Sequence, residues 1–202
     1  MNVRHGIPIA DLDRATELYW GAFGQKLDRL LGPRDRALTF IRSVIRADHA
    51  FGAYDRNGEL LGVAGYKSSE GAFVGGTIAD MRQSYGFWGG TWRGMILTLL
   101  ERDTENRRFL MDGIAVAESA RGLGIGTALL DAVISEAHKR GYLEVRLDVI
   151  DSNPRARALY ERCGFTAIKD TPIWPVHRIF GFRVATTMVR KTTEGQNQGH
   201  TP

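Results

Sequence analysis

The chain carries a single cysteine, Cys163, so no internal disulfide can form and nothing points to an oxidising compartment. It has no apolar stretch near the ~20 residues that span a bilayer, and Met1 to Gly6 lack the apolar core of a secretory signal. No membrane partner and a cytoplasmic location are therefore expected. The histidines His5, His49, His138, His177 and His200 are scattered, with no His-Glu-x-x-His or Cys-His spacing, so no metal site is expected. Charge of one sign is also scarce: 27 basic residues stand against 23 acidic ones, interleaved along the chain. With no basic run carrying interleaved aromatics, nucleic acid is not the expected partner. A local anion site accounts for the net +4 as well as DNA would.

Repeats and low-complexity blocks are absent too. What is present, 43% hydrophobic and 25% charged residues over 202, suits one soluble unit with a full core. One domain is expected over residues 1–190, with a disordered polar tail over 191–202. Asp11 is expected to cap a helix with Ala15, Leu18, Tyr19 and Ala22 at helical spacing, and Pro33 to open a second with Leu38, Ile41 and Ile45. Runs Ala50 to Tyr54 and Leu60 to Tyr66 around Asn57-Gly58 predict a hairpin. A glycine-rich, aromatic connection follows, with Phe73 and Gly75-Gly76 suggesting a mobile loop, either a lid or a plain surface excursion. Then comes a helix from about Trp88 to Glu101 with Trp92, Met95, Ile96 and Leu99 on its apolar side.

The second half alternates: strand Phe109 to Val116, a glycine turn, helix Gly124 to Arg140, strand Leu143 to Ile150, then a helix Pro154 to Arg162 stopped by Gly164. Two more strands follow, around Phe165 to Lys169 and Arg183 to Arg190, separated by a loop with Pro172, Trp174, Pro175 and His177. The class is mixed α/β.

Between the first of these strands and its helix lies Arg121-Gly-Leu-Gly-Ile-Gly126-Thr127. The glycines let backbone approach a ligand closely, and the first amides of a helix lack internal partners and carry the positive end of its dipole. This is an anion cradle, to which Arg121 adds a cation. A dinucleotide fold would need a third glycine where Thr127 or Leu129 stands, although Asp148 is suitably spaced for a ribose. A Walker-type loop would need Gly-Lys-Ser/Thr after the turn. Neither is there.

The stretch from Ile114-Ala-Val116 through Arg121-Gly-Leu-Gly-Ile-Gly126 resembles the acetyl-CoA motif of the GCN5-related N-acetyltransferases, Arg/Gln-x-x-Gly-x-Gly/Ala. Asn153-Pro-Arg-Ala-Arg-Ala-Leu-Tyr160-Glu-Arg-Cys-Gly164-Phe165 is similar to the second motif of that family. The resemblance covers Phe109 to Thr166 closely, and the strand order is compatible from Ala50 to Arg190. The first two helices and residues 68–107 carry no signature. It implies a central, twisted, mostly antiparallel sheet flanked by helices, and direct acetyl transfer from acetyl-CoA to an amine in a ternary complex.

It further implies that backbone groups of Ile114, Ala115 and Val116 pair with the pantetheine arm, in a gap between the strand ending at Val116 and the strand ending at Ile150. Arg121, Gly122, Leu123, Gly124, Ile125, Gly126 and Thr127 would hold the pyrophosphate. Asn153 would cap its helix and touch the arm, and Tyr160 would donate a proton to the leaving thiolate. Asp148 and Asp112 are each candidates for the general base or for recognition of a cationic acceptor. The Val116 amide is the expected oxyanion contact. Two other readings stand: a non-catalytic module sensing acyl-CoA, and a dinucleotide-dependent oxidoreductase. His177, the group Tyr85, Phe87, Trp88 and Trp92, and the group Tyr19, Trp20 and Phe23 each read either as acceptor-site lining or as ordinary surface or core. Exposed sheet edges make a homodimer reasonable.

Overall fold

The computed structural model describes residues 1–100, 107–174 and 181–193, apart from the side chains of Lys26 and residues 96–100. His177, Pro175, the end of the expected helix at Glu101, the side chains of Ile96 and Leu99, and the tail beyond residue 193 lie outside the described residues.

Helix α1 (Leu12–Leu31) buries Leu12, Ala15 and Leu18 and is followed by α2 (Arg34–Val44), which buries Ala37, Phe40, Ile41 and Val44. Pro33 sits at the N-cap of α2, but Asp11 makes no side-chain cap to α1. The 3-10 turn Ile9–Asp11 leads directly into α1, so Asp11 has a helical φ of −99° and ψ of 0° rather than the extended backbone of a capping residue.

The strands are β1 (Asn2–His5), β2 (Ala50–Tyr54), β3 (Leu60–Ser68), the short β4 (Gly71–Ala72), β5 (Phe109–Val116), β6 (Glu144–Ile150), β7 (Thr166–Pro172) and β8 (Val184–Lys191). They form one sheet in the order β1-β2-β3-β5-β6-β8-β7, with β4 beside β3. Only β5 and β6 run parallel. The sheet is flanked by α1, by α5 (Ile125–Lys139) and by α6 (Pro154–Arg162). The last strand runs one residue past the expected domain end, since Lys191 pairs with Glu144.

The β2–β3 hairpin forms where expected, but with a different turn. Asp55 Oδ1 accepts from the amides of Asn57 and Glu59, both at 2.8 Å, and only Gly58 takes a positive φ, +85°. An aspartate-centred loop thus replaces the Asn-Gly tight turn.

The largest departure lies between β4 and β5. Phe73 belongs to the core, 1% exposed, and the amides of Phe73 and Arg46 bind Tyr66 O and Phe73 O at 3.1 and 2.9 Å. A Cβ on Gly65 would meet the Phe73 side chain at 2.5 Å, so that glycine makes room for it. Phe73 is therefore anchored, while Gly75 and Gly76 after it are exposed and lie outside any helix or strand. Helix α3 (Ile78–Tyr85) follows, started by a reciprocal cap in which the Asp80 amide donates to Thr77 Oγ1 and the Thr77 amide to Asp80 Oδ2. Helix α4 (Phe87–Leu100) lies where a helix from about Trp88 is expected. Of its expected apolar side, the described Met95 and Trp92 are 60% and 44% exposed, and Trp88 at the helix start is 82% exposed. Tyr85 and Met81 of α3 take the buried positions instead, in a second core with Leu30, Leu31 and α2.

Candidate active site

The site begins at an irregularity in β5. Gly65 pairs with Gly113 and Tyr66 with Met111, which leaves Asp112 as the extra residue of a bulge. Pairing of β5 with β6 stops just before it, after Phe109–Val145 and Leu110–Arg146. From there the two strands diverge, while β5 stays paired to β3 as far as Val116. One backbone edge of Ile114, Ala115 and Val116 therefore faces a gap, as a strand edge open to an extended ligand does.

That gap opens into a cleft of about 800 Å³ lined by Ile114, Ala115, Val116, Arg121, Gly122, Gly124, Ile125, Gly126, Thr127 and Asn153. Gly122 and Gly124 adopt φ of +82° and +79°, a region costly for residues with a Cβ. Gly124 is the N-cap of α5 and no side chain caps the helix there. The first amides of α5 thus meet the cleft without a capping group, at the positive end of the helix dipole. Leu123 does not line the cleft and is 68% exposed. Arg121 lies at the cleft but also pairs with exposed Glu118 at 3.1 Å, a weak, solvent-screened contact.

At the other end Asn153 caps α6, its Oδ1 accepting from the Ala156 amide at 3.1 Å, with Pro154 in the first turn. Its side chain touches both the cleft and a smaller cavity of about 230 Å³ that also contains Tyr160, Asp112 and Asp148. The structure thus brings the three chemical candidates to one chamber. They differ in surroundings. Tyr160 is buried, 5% exposed, and burial pushes its phenol well above the ordinary value. Asp112 is half-buried and accepts from the Val74 amide at 3.1 Å. Asp148 is exposed and already engaged on both oxygens, by Thr187 Oγ1 at 2.5 Å and by Arg146 at 3.2 Å.

Sequence reasoning missed Gln25, Arg155 and Arg162, all at the large cleft. Arg155 and Arg162 sit seven residues apart on α6, two helical turns on one face, a spacing that was legible. Of the ambiguous aromatics, Tyr19 and Phe23 line the small cavity, their rings 4.6 Å apart. Phe87, Trp88 and Trp92 do not line it, and Tyr85 is core. Among the described residues no cluster of side chains could hold a metal, and no helix is long and apolar enough to cross a membrane.

The family model described as the acetyltransferase (GNAT) family matches residues 12–165. Mycothiol acetyltransferase of Beutenbergia cavernae is 44% identical over 55 residues, 27% of this chain and 18% of that protein. Thialysine N-epsilon-acetyltransferase of Bos taurus is 30% identical over 97 residues, 48% of this chain and 50% of that protein. The chain spans no more than half the length of these curated relatives. The solved structure of a GCN5-related N-acetyltransferase from Kribbella flavida superposes with a TM-score of 0.61 at 18% identity, covering 94% of this chain and 96% of that one. This last likeness speaks for the fold.

Proposed function

The chain belongs to the acetyltransferase (GNAT) family, and we propose that it transfers acetyl from acetyl-CoA directly to an amine. The observation that carries this reading is a cleft that meets an uncapped helix N-terminus at Gly124 and the free edge of β5 at Ile114 to Val116, and that shares Ala22, Ile114, Asn153 and Ala156 with the adjoining chamber lined by Tyr160.

The donor supplies an acyl group activated as a thioester, and the residues of the chain do the rest. Backbone amides from Gly122 to Thr127 bind the pyrophosphate, helped by Arg121. The edge of β5 pairs with the pantetheine amides and orients the thioester, with Asn153 against the arm. The Val116 amide donates to the carbonyl oxygen as charge develops there.

Tyr160 stands at the departing sulfur. A phenol raised by burial stays protonated across the physiological range, and it lies above a thiol, at ~8.5. Tyr160 therefore stabilises the thiolate chiefly as a hydrogen-bond donor, since outright proton transfer would leave a buried phenolate. Of the two acids, we assign the amine proton to Asp112. It sits half-buried on the bulge beside the gap, whereas Asp148 is exposed.

Isothermal titration with acetyl-CoA, with NAD and ATP as controls, tests the donor, and thiol release in the presence of amines tests the transfer. Saturable binding of acetyl-CoA alone and amine-dependent release are expected. A preference for NAD would return the glycine turn to dinucleotide chemistry, and binding without release for any amine would favour an acyl-CoA sensor.

A further inference from the structure

The small cavity beside the reaction centre has a composition that restricts the acceptor. We propose that it admits a compact primary amine on an apolar body, charged at the amine and lacking a carboxylate. This rests on the acetyl-transfer reading and deepens it.

Size is the first argument. The cavity holds about 230 Å³, below the ~300–1,000 Å³ typical of sites for drug-sized ligands. It opens onto the large cleft where both are lined by Ala22, Ile114, Asn153 and Ala156. Whatever fills it presents one end to the thioester and has room for little more than a short chain or one ring.

Lining is the second. Tyr19, Phe23, Leu27, Met111 and Phe182 supply apolar and aromatic surface. The position of Phe23 depends on Gly113: a Cβ there would stand 2.7 Å from the Phe23 ring. Glycine after the bulge thus leaves room for an aromatic ring to reach β5 next to Asp112, its tip toward Gly113 and its face beside Tyr19. These faces favour an apolar body and also attract a cation.

Charge is the third. Among the described residues lining the cavity, the ionisable carboxylates are Asp112 and Asp148 and no Lys or Arg is present. Arg146, bonded to Asp148, offsets part of that second charge. Asp112 keeps its influence in a poorly solvated wall. Burial first, and then the Asp112 charge, push the Tyr19 phenol above its ordinary value. An ammonium gains from this field. An amino acid would bring its carboxylate against like charge, and a polyamine would bring further ammonium groups into a poorly solvated cavity with only two acids to meet them, one already bonded to Arg146.

The test compares amines that differ in one property. Thiol release from acetyl-CoA is measured with 2-phenylethylamine, with phenylalanine (the same body plus a carboxylate), with spermidine and with an alanine-led peptide. Amine binding to the CoA-saturated protein is followed separately by calorimetry. 2-Phenylethylamine is expected to exceed each of the others by ~10-fold or more in kcat/KM. Phe23→Ala should erase most of that preference while the Kd for acetyl-CoA holds. Phenylalanine, spermidine or the peptide turning over as well as 2-phenylethylamine would overturn the proposal. So would acetyl-CoA binding with no detectable binding of 2-phenylethylamine. Failure of acetyl-CoA itself to bind is a different result and removes the underlying reading. If Phe23→Ala does not fold, the wild-type panel alone decides.

Discussion

The large cleft and the small cavity beside it are built from different materials. In the cleft β5, α5 and α6 present mostly backbone and small residues: the strand edge at Ile114 to Val116, the glycines at 122, 124 and 126, and the Asn153 cap. In the cavity α1 presents large side chains, Tyr19, Phe23 and Leu27, with α3 and α4 packed beyond them around Leu30 and Leu31. Backbone recognition restricts residue type, because only glycine takes the αL region without penalty and few side chains cap a helix. Side-chain packing accepts any apolar residue of suitable volume. A wall made of backbone suits a constant donor, and a wall made of side chains can be retuned to a changing acceptor.

The sharpest way to break this division is to alter chemistry without altering either wall. Tyr160→Phe removes one hydroxyl from the chamber. Turnover should fall ~100-fold or more, equivalent to ~2.7 kcal/mol, while acetyl-CoA binds as before. Stopped-flow thiol release and calorimetry on the same preparation check both halves. A drop in affinity matching the drop in rate would make Tyr160 part of the packing. Since burial raises the phenol, it remains protonated as pH climbs through 8 and 9, so the wild-type rate should show no alkaline loss there from Tyr160.

Next in size is a change to the backbone wall. A Cβ on Gly126 would stand 3.0 Å from Leu159 Cδ2, tighter than ordinary van der Waals contact. Gly126→Val adds bulk that must displace Leu159 or enter the cleft. Weakening of the acetyl-CoA Kd by ~10-fold or more is expected, with the circular dichroism spectrum kept. A variant that binds normally would show that the first turn of α5 does not approach the donor. Smaller again is Asn153→Ala, which removes the cap on α6. A loss of ~1 kcal/mol in urea unfolding is expected, largely restored by Asn153→Ser. A donor affinity that also drops in the alanine variant and returns with serine would mean the side chain's direct contact matters little beyond its cap.

The same contrast explains what could be read before the structure. From Phe109 to Thr166 almost every boundary was legible, because strands, helix and glycine stops there carry restrictive signals such as Gly124, Asn153-Pro154 and Gly164. Asp112, Asp148 and Tyr160 could be singled out from the sequence, but not their unequal surroundings, which arise from a bulge and from cross-strand neighbours such as Thr187. Helix α3 was missed although Thr77-x-x-Asp80 announces a capping box. Strand β1 was missed because four residues with mostly exposed side chains leave no apolar alternation. Arg155 and Arg162 were not singled out, since their spacing puts them on one face of α6 without saying that this face borders the cleft.

The smallest predicted effect concerns α4, where apolar spacing pointed inward and the structure turns it outward. Helical periodicity reports that residues share a face, not what the face meets. Trp88, Trp92 and Met95 share one, yet the neighbouring positions against Leu30 and Leu31 are filled by Met81 and Tyr85 of α3, and Tyr85 donates to Leu31 O at 2.5 Å. With that contact taken, Trp88, Trp92 and Met95 are not among the described residues of this second core. Trp88→Ser should therefore change urea unfolding by no more than ~0.5 kcal/mol, the range of ordinary surface substitutions. Phe73→Ala, which empties a buried position in the same connection, should cost ~3–5 kcal/mol. Measured together, the pair separates aromatics that hold this region from those that only decorate it. A loss for Trp88→Ser as large as that for Phe73→Ala would mean that α4 packs its stripe against protein after all.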